Sequence, residues 1–595
     1  MQSWDFIVVG GGTAGCAVAN QLSQEGHRIL LIEAGIDTAP GQVPEDIRDT
    51  FPASYSNPDY TWGATPSLTT LYNGNTKPTP FFQAKVMGGG SSLMGMVALR
   101  GYPEDYDHWA RMGATDWSWS DVRPEFMALE DDAWPNHPDH NKGGPIHIMR
   151  RGPEVWPPFC HALAQSMESR GLSHVADMNT DFRDGYCTYP LSSTPNERVS
   201  SASAFLNSDV RSRLQVMTRT EVLKLRWGKV RCIGVQIKRG LDTQNLSAGG
   251  VIVCAGGIHT PALLMRSGVG NAPMLESMGV NVVNHLPAVG RNLQNHCIAY
   301  LGTYLQPRAR QNPNLRPHFH MGLRLSSPLS YANTGDIAVT VLPKSSLKGL
   351  GHAIGALGVA LYQPKGVGEV RIDRLGNPLP RFSYIELAED FDRLCWGYSQ
   401  AWDLMQHPAI SKIRGELFAA GYSEKVRQLN RPGFLNTALS SALLTGLDFS
   451  NWSRKWTLKH LITAGESANK NTGSEQWIKN TVERMHFGMY HPTGTCRMGQ
   501  TQDSETVVSP KGQVKGIQGL WMADASVMPQ IPRANTFLPT LMVARKIAKT
   551  IRKREKSSRT HRNRKSIQSE KTIECFVSRH ERNFVIFFAH PHVET

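Results

Sequence analysis

The sequence predicts an α/β chain: a Rossmann-like parallel sheet with a second, α+β domain inserted into it. Three stretches predict this. They are a glycine-rich loop after the first apolar strand, a second apolar strand that ends on an acid, and a late apolar strand that returns the chain to the first sheet. The chain opens with Asp5-Phe6-Ile7-Val8-Val9, and Gly10, Gly12 and Gly15 follow in Gly-x-Gly-x-x-Gly spacing. In that pattern the first glycine makes a tight turn and the second lets backbone approach a pyrophosphate. The third lets the next helix pack on the strand. The helix expected from Cys16 to Glu25 aims its unpaired N–H groups and the positive end of its dipole at the phosphate. The next strand, Ile29-Leu30-Leu31-Ile32, ends at Glu33, eighteen residues past Gly15. A carboxylate there reaches a ribose hydroxyl.

The later elements follow the same reading. Val251-Ile252-Val253-Cys254-Ala255-Gly256-Gly257 is an apolar strand ending in a glycine turn. Thr260-Pro261 then starts a helix through Met265, with proline at an early helical position. Between about Leu301 and Lys479 the pattern changes. Alternating segments such as Gly368 to Ile372 read as antiparallel strands, and the amphipathic run from Phe391 to Gln406 reads as a helix. Gly519-Leu520-Trp521-Met522-Ala523-Asp524-Ala525 is the returning strand, again ending at an acid. A last helix, Thr540 to Arg552, carries the stripe Leu541, Val543, Ala544, Ile547, Ala548 and Ile551. The chain thus divides into a dinucleotide-binding domain (1–150, 190–300 and 480–552), an inserted domain (151–189 and 301–479) and a tail (553–595).

Composition narrows the class. The chain has 595 residues, 40% of them hydrophobic, enough for several domains at about 100–200 residues each. Nine cysteines are scattered without a Cys-x-x-Cys pair. That argues against a disulfide framework or a zinc site and for a reducing compartment; no metal site is expected. The first strand follows Met1 too closely for a signal peptide, and no apolar run reaches the ~18–20 residues that span a bilayer. The expectation is a soluble, cytoplasmic protein.

The net charge of +14 invites a nucleic-acid reading, yet its distribution opposes one. From Arg552 onward eleven Lys and Arg face five Glu, so that stretch alone carries +6. No basic patch is interleaved with aromatics, so no nucleic-acid partner is expected. The tail has no apolar face at its start and is expected to be disordered. Its Phe584-Val585-Ile586-Phe587-Phe588 run is too short to span a membrane. The alternative for the tail is a weak, two-part peripheral contact with an anionic membrane.

Three further stretches carry a family resemblance. Ala84 to Met96, followed by Arg100-Gly101 and Asp105-x-Asp107-x-Trp109, resembles the first signature of the glucose–methanol–choline oxidoreductases. Gly256 through Thr260-Pro261 to Gly270 is similar to the second. Val289-Gly290-Arg291-Asn292-Leu293-Gln294-Asn295-His296 resembles the stretch that follows it, and Tyr490-His491-Pro492-Thr493-Gly494-Thr495-Cys496 completes the set. The resemblance runs from about Trp4 to Arg552.

It implies FAD as cofactor and an alcohol as substrate, oxidised to an aldehyde or ketone, with O2, a quinone or another acceptor taking the electrons. It implies that Gly10, Gly12, Thr13, Ala14 and Gly15 hold the pyrophosphate and that Glu33, with Ala34, holds the ribose. Val222 would meet the adenine through its backbone. Val86, Gly89, Ser91 and Met94, Gly95 and Met96 would border the flavin, and Ala255, Asp524, Ala525, Asn535 and Thr536 would complete the shell. His491 falls at the base position and Asn535 at the second catalytic position. A histidine suits the task because its unperturbed pKa of ~6.5 lies near working pH, and an amide can donate to a developing alkoxide.

Two residues depart from the family pattern. Met94 stands where relatives carry Asn or a flavin-linked His, so FAD is expected to be non-covalent. Phe537 replaces a usually polar residue, and either a more apolar pocket or a simple change of packing follows from it. The family also includes FAD-containing hydroxynitrile lyases, the competing activity. A choline-type substrate would want an aromatic cage, for which Trp62, Trp396 and Trp402 are the candidates.

Overall fold

The computed structural model describes residues 4–72, 74–132, 134, 137–329, 332–345, 349–421, 434–462 and 472–551. The disorder and membrane readings of the 553–595 tail lie outside the described residues.

Trp4–Val9 pairs in parallel with Ile29–Ile32 on one side and with the end of Asp242–Val253 on the other. Gln215–Met217 extends the sheet beyond Ile29–Ile32, and Leu520–Met522 adds to Val251–Val253, both again parallel. Ile29–Ile32 and Val251–Val253 are buried along their whole length, as strands covered on both faces must be. The first half of Asp242–Val253 leaves this sheet and forms an antiparallel meander with Arg231–Arg239 and Glu221–Gly228. Between the first two strands lies the helix Thr13–Ser23. It starts three residues before the expected Cys16, because Gly12 already takes the extended conformation of a helix cap.

A second sheet carries the inserted region. Its order is Arg414–Ala419, Cys297–Leu305, Ile354–Leu361, Ile337–Leu342, Met321–Leu325, Gly185–Thr188, and every neighbouring pair is antiparallel. Phe487–Gly488 pairs with the Cys297 end of its strand, which brings the chain back beside residues 295–297 just before His491. Helix Ala388–Leu404 packs on this sheet and buries Phe391, Leu394, Tyr398, Ala401 and Leu404. Glu369–Ile372 pairs antiparallel with Pro378–Ser383, as its alternation predicts.

Two helix starts differ from expectation. The last helix covers 537–551, a turn earlier than Thr540, and its apolar stripe is at most 2% exposed. The helix expected from Thr260 starts at Gly256, so Pro261 lies inside Gly256–Arg266. A proline leaves the carbonyl four residues back without its N–H partner. Here that carbonyl belongs to Gly257, and the Thr495 hydroxyl donates to it at 2.7 Å. The Thr495 side chain thereby compensates the helix and ties the His491 loop to it.

Beside this core lies a buried ion network. Arg100 donates to Glu130, Arg150 to Asp132 and Asp177, and His140 Nε2 lies 2.8 Å from Asp177. Glu130, Asp132 and His140 are close enough to share a cation, but two guanidinium groups already occupy the carboxylates and balance their charge. Burial pulls the His140 pKa down, and hydrogen bonds to Asp177 and Glu130 more than offset this, raising it to about 9. A histidine with a raised folded pKa stabilises fully below its unfolded value of ~6.5 and loses that contribution as pH climbs through the folded one. Stability in denaturant titrations is therefore expected to fall between about pH 6.5 and 9, and His140→Gln to flatten that slope. An unchanged slope in the variant would rule His140 out as its source. Among the described residues no helix is long and apolar enough to cross a membrane.

Candidate active site

One cavity runs from the glycine loop to His491, and it gathers residues far apart in sequence. Gly10, Gly12, Thr13, Ala14, Glu33 and Ala34 line it, with Val86, Gly89, Ser91, Met94, Gly95 and Met96. Val222, Ala255, His491, Asp524, Ala525, Asn535 and Thr536 line it as well. Gly15 is the expected residue that stays out of the lining. A Cβ on Gly15 would overlap the Gly10 carbonyl, so this glycine serves the close approach of helix and strand. Gly10 has φ +97°, and a Cβ there would lie 2.6 Å from the Cys254 carbonyl. Gly12 differs: the nearest atom to its Cβ would be Gly89 Cα at 3.9 Å, so its open side faces the cavity.

The acids of the two sheet strands are both built in. Glu33 accepts from Gly11 N–H and Gly35 N–H, each at 2.8 Å. Burial raises its pKa, and these N–H groups oppose the rise. Asp524 accepts from Gly256 N–H at 2.7 Å and Thr260 Oγ1 at 2.6 Å through one oxygen, and from Ser526 N–H at 2.8 Å through the other. Its carboxylate therefore clamps the returning strand to the start of helix Gly256–Arg266, a role the sequence reading did not assign. Burial raises the Asp524 pKa too, with these donors opposing.

Met94 ends the short helix Gly90–Leu93, lines the cavity and packs against the cluster of Ile47, Tyr60, Val86 and Leu93. Its carbonyl is held by Arg198, which also donates to Ser91 O at 3.3 Å and Ile47 O at 3.1 Å. Arg198 gave no signal in sequence, because its partners are main-chain carbonyls.

His491 and Asn535 sit at the far end. The His491 N–H donates to Asn295 Oδ1 at 2.8 Å, and Asn295 Nδ2 donates to the Tyr384 hydroxyl at 2.9 Å. His491 Nδ1 lies 2.9 Å from His296 Nδ1. Burial lowers the His491 pKa to about 4, so the ring is neutral at neutral pH. The Asn535 loop is anchored by Arg533, which donates from its main chain and from Nε to the buried Asp105 at 2.9 and 2.8 Å. Asp105 belongs to the Asp-x-Asp-x-Trp stretch, so that signature supports the loop that carries Asn535, 428 residues later. The Tyr362 hydroxyl donates to Asn535 Oδ1 at 3.1 Å. Sequence reasoning singled out neither Tyr362 nor Tyr384, and it named His296 only as part of a motif.

Further lining comes from Trp62, Phe81, Phe82, Gln83, His259, Leu263, Arg266 and Tyr490. Trp62 stacks on His259 at 4.6 Å. Trp396 and Trp402 do not join it: both lie on helix Ala388–Leu404, where Trp402 packs on Trp477 at 5.3 Å. The three tryptophans do not converge, because a helix outside the cavity carries two of them. Gln83 Oε1, His259 Nε2 and Arg266 Nε are buried atoms without a hydrogen-bond partner in residues that line this cavity. Buried polar atoms in that state call for a polar ligand.

The GMC oxidoreductase family models match residues 4–298 and 364–544. The chain belongs to the GMC oxidoreductase family. It is 34% identical over 563 residues to the 5-(hydroxymethyl)furfural oxidase of Methylovorus sp. (strain MP688), covering 92% of this chain and 98% of that one. It is 26% identical over 556 residues to the oxygen-dependent choline dehydrogenase of Brucella anthropi, covering 91% and 94%. Among solved structures, pyridoxine 4-oxidase from Mesorbium loti superimposes with a TM-score of 0.74 at 23% identity, over 92% of this chain and 99% of that one. This GMC oxidoreductase is an FAD-dependent enzyme that oxidises alcohols at CH–OH groups. The cavity fits the cofactor: an open side at Gly12, the N-terminus of helix Thr13–Ser23 beside it and orphaned polar atoms in the lining residues.

Because Met94 offers a thioether where a linking histidine would stand, FAD is expected to leave the protein intact. Acid precipitation should carry all the yellow colour into the supernatant, and flavin retained on the denatured chain would count against this.

Proposed function

We propose that His491 takes the hydroxyl proton of the alcohol while Asn535 stabilises the oxygen left behind. FAD, held by the glycine loop, Glu33 and the Val222 strand, supplies an acceptor for the hydride at flavin N5. An alkyl alcohol donates hydride poorly until its O–H proton is leaving, so a neutral base beside the hydroxyl governs the rate. The observation that carries this reading is the pair of side chains on one cavity lining: a half-buried, neutral imidazole, and an amide whose oxygen is already bonded to Tyr362. An amide so held presents its N–H groups to the oxygen as charge develops.

For substrate, we propose a neutral primary alcohol borne on a flat, unsaturated ring. Tyr490 precedes His491, Phe81 packs on Tyr490 at 5.4 Å, and Phe537 follows Asn535 by two residues on the same lining. Aromatic side chains favour such rings by offset stacking. The acids on the lining are Glu33, Glu221 and Asp524, and they belong to the strands of the first sheet, so among the described residues no other carboxylate lines the cavity to receive a quaternary ammonium. The relative that oxidises 5-(hydroxymethyl)furfural agrees with this class. We take O2 as the acceptor, as the names of both relatives suggest.

An anaerobic screen tests the reading: furfuryl, benzyl and pyridyl alcohols should bleach the flavin, and choline and sugar alcohols should not. Air should then restore the colour with formation of hydrogen peroxide. A flavin that stays oxidised with every alcohol would favour the lyase activity, and bleaching by choline alone would overturn the substrate class.

A further inference from the structure

His296 and Tyr362 lie behind the catalytic pair and touch both of its members. His296 Nδ1 is 2.9 Å from His491 Nδ1, and His296 Nε2 is 3.1 Å from the main-chain oxygen of Tyr362. The two rings of His296 and Tyr362 stack at 4.6 Å with an interplanar angle of 20°. The other end of Tyr362, its hydroxyl, reaches Asn535 Oδ1 at 3.1 Å. One residue therefore contacts the base through an intermediary and the amide directly.

The carbonyls of Tyr362 and Pro532 both act on the His296 ring, and the Tyr362 oxygen, at 3.1 Å from Nε2, is the one whose contact assigns the hydrogens. A carbonyl oxygen only accepts, so His296 Nε2 must carry a hydrogen. His296 is fully buried, and burial together with its His491 neighbour holds its pKa well below the ordinary value, so the ring is neutral. A neutral imidazole has a single N–H, which leaves His296 Nδ1 as an acceptor. His491 Nδ1 must then be the donor across the 2.9 Å contact. A neutral His491 with its hydrogen on Nδ1 has its lone pair on Nε2, for which the described residues hold no hydrogen-bond partner. At the other end, burial holds the Tyr362 phenol well above its usual pKa, so it keeps its proton. Its donation to Oδ1 turns Asn535 Nδ2, the donor end of the amide, away from Tyr362.

We propose that Tyr362 is a positioning residue for both catalytic groups. Its main-chain carbonyl, acting through His296, sets His491 as the Nδ1–H tautomer with Nε2 open to receive a proton, and its hydroxyl sets Asn535 with Nδ2 toward the alcohol. This rests on the reading of His491 as base and Asn535 as amide donor. It adds that neither group finds its working state alone. The wrong His491 tautomer would present an N–H to the alcohol and could take no proton, and a flipped Asn535 would present a lone pair to an alkoxide.

Holoenzyme variants test this by anaerobic flavin reduction with a saturating aryl alcohol, FAD content being measured alongside. His296→Leu removes the acceptor and should slow reduction by roughly 10²-fold, within the range of general-base catalysis. His296→Gln offers an amide oxygen to the same hydrogen and should recover most of that loss. Equal rates in the two variants would overturn the tautomer argument. Tyr362→Phe tests the amide half independently, since it keeps the ring stack and the main-chain carbonyl and removes only the hydroxyl. It should slow reduction about tenfold, the scale of a single hydrogen bond. Because the hydroxyl acts through Asn535, adding Tyr362→Phe to Asn535→Ala should cost nothing further. Multiplying effects would overturn the second half. His491→Ala is the control for the underlying reading: normal reduction there means that the base is elsewhere. A slow His491→Ala with indistinguishable His296 variants instead means that only the positioning claim fails.

Discussion

Replacing His491 with alanine is expected to slow anaerobic flavin reduction by roughly 10²–10⁴-fold, the usual contribution of a general base. FAD content should stay normal, because the glycine loop, Glu33 and Val222 contact the cavity elsewhere. The pH dependence of the wild-type step carries a second signature. Burial lowers the His491 pKa to about 4, and a base works only when deprotonated. Reduction should therefore hold its rate as pH falls through 6.5 and decline only toward 4. Stopped-flow traces from pH 5 to 9 would show it, and a midpoint near 6.5 would mean that the imidazole is solvated during turnover. Asn535→Ala is expected to cost on the order of 10²–10³-fold, as for a lost oxyanion donor.

The second large effect concerns Gly12. Its backbone sits at φ −74°, ψ −164°, which any L-residue adopts, and its side-chain space opens on the cavity rather than on protein. Gly12→Val should therefore yield a folded protein that cannot hold FAD. A methyl-sized intrusion into a packed contact costs about 1–3 kcal/mol, or roughly ten- to a hundredfold in affinity, and valine adds more than one methyl. Gly10→Val and Gly15→Val, by contrast, drive a Cβ into main chain and should destabilise the fold itself. Urea titrations of the apoproteins separate the two kinds of glycine. A Gly12→Val protein that retains stoichiometric FAD would show that the pyrophosphate lies elsewhere.

What the sequence made legible was local. The glycine spacing, the apolar strands and the terminal acids each lie within a short window, and their residues do converge on one cavity. The contacts that orient the chemistry are long-range, and no window contains them. Arg533 is held by Asp105 and Asn535 by Tyr362. The start of helix Gly256–Arg266 was misread for the same reason. Pro261 signals a first turn, and the hydroxyl that makes an interior proline tolerable belongs to Thr495. Whether Trp62, Trp396 and Trp402 converge was equally out of reach of any window: the helix that carries Trp396 and Trp402 packs on the second sheet and on Trp477.

Val251–Val253 sits between Trp4–Val9 and Leu520–Met522, and this has a consequence for biosynthesis. The glycine loop and its strand leave the ribosome first. The far edge of Val251–Val253 can be covered by its partner only after 266 further residues have been made. At about 5–20 residues per second, that edge stays open for tens of seconds. Through that interval it is a row of unpaired donors and acceptors on an apolar strand, the kind of surface that recruits another chain. The His491 loop and the Asn535 loop arrive in the same final stretch, so a nascent chain has the glycine loop long before it has the proposed base and amide. Chaperone binding during synthesis should therefore concentrate between the emergence of residue 253 and that of residue 522. Ribosome-bound chains arrested before residue 520 should aggregate on release, while those arrested after residue 551 should fold and turn yellow with FAD.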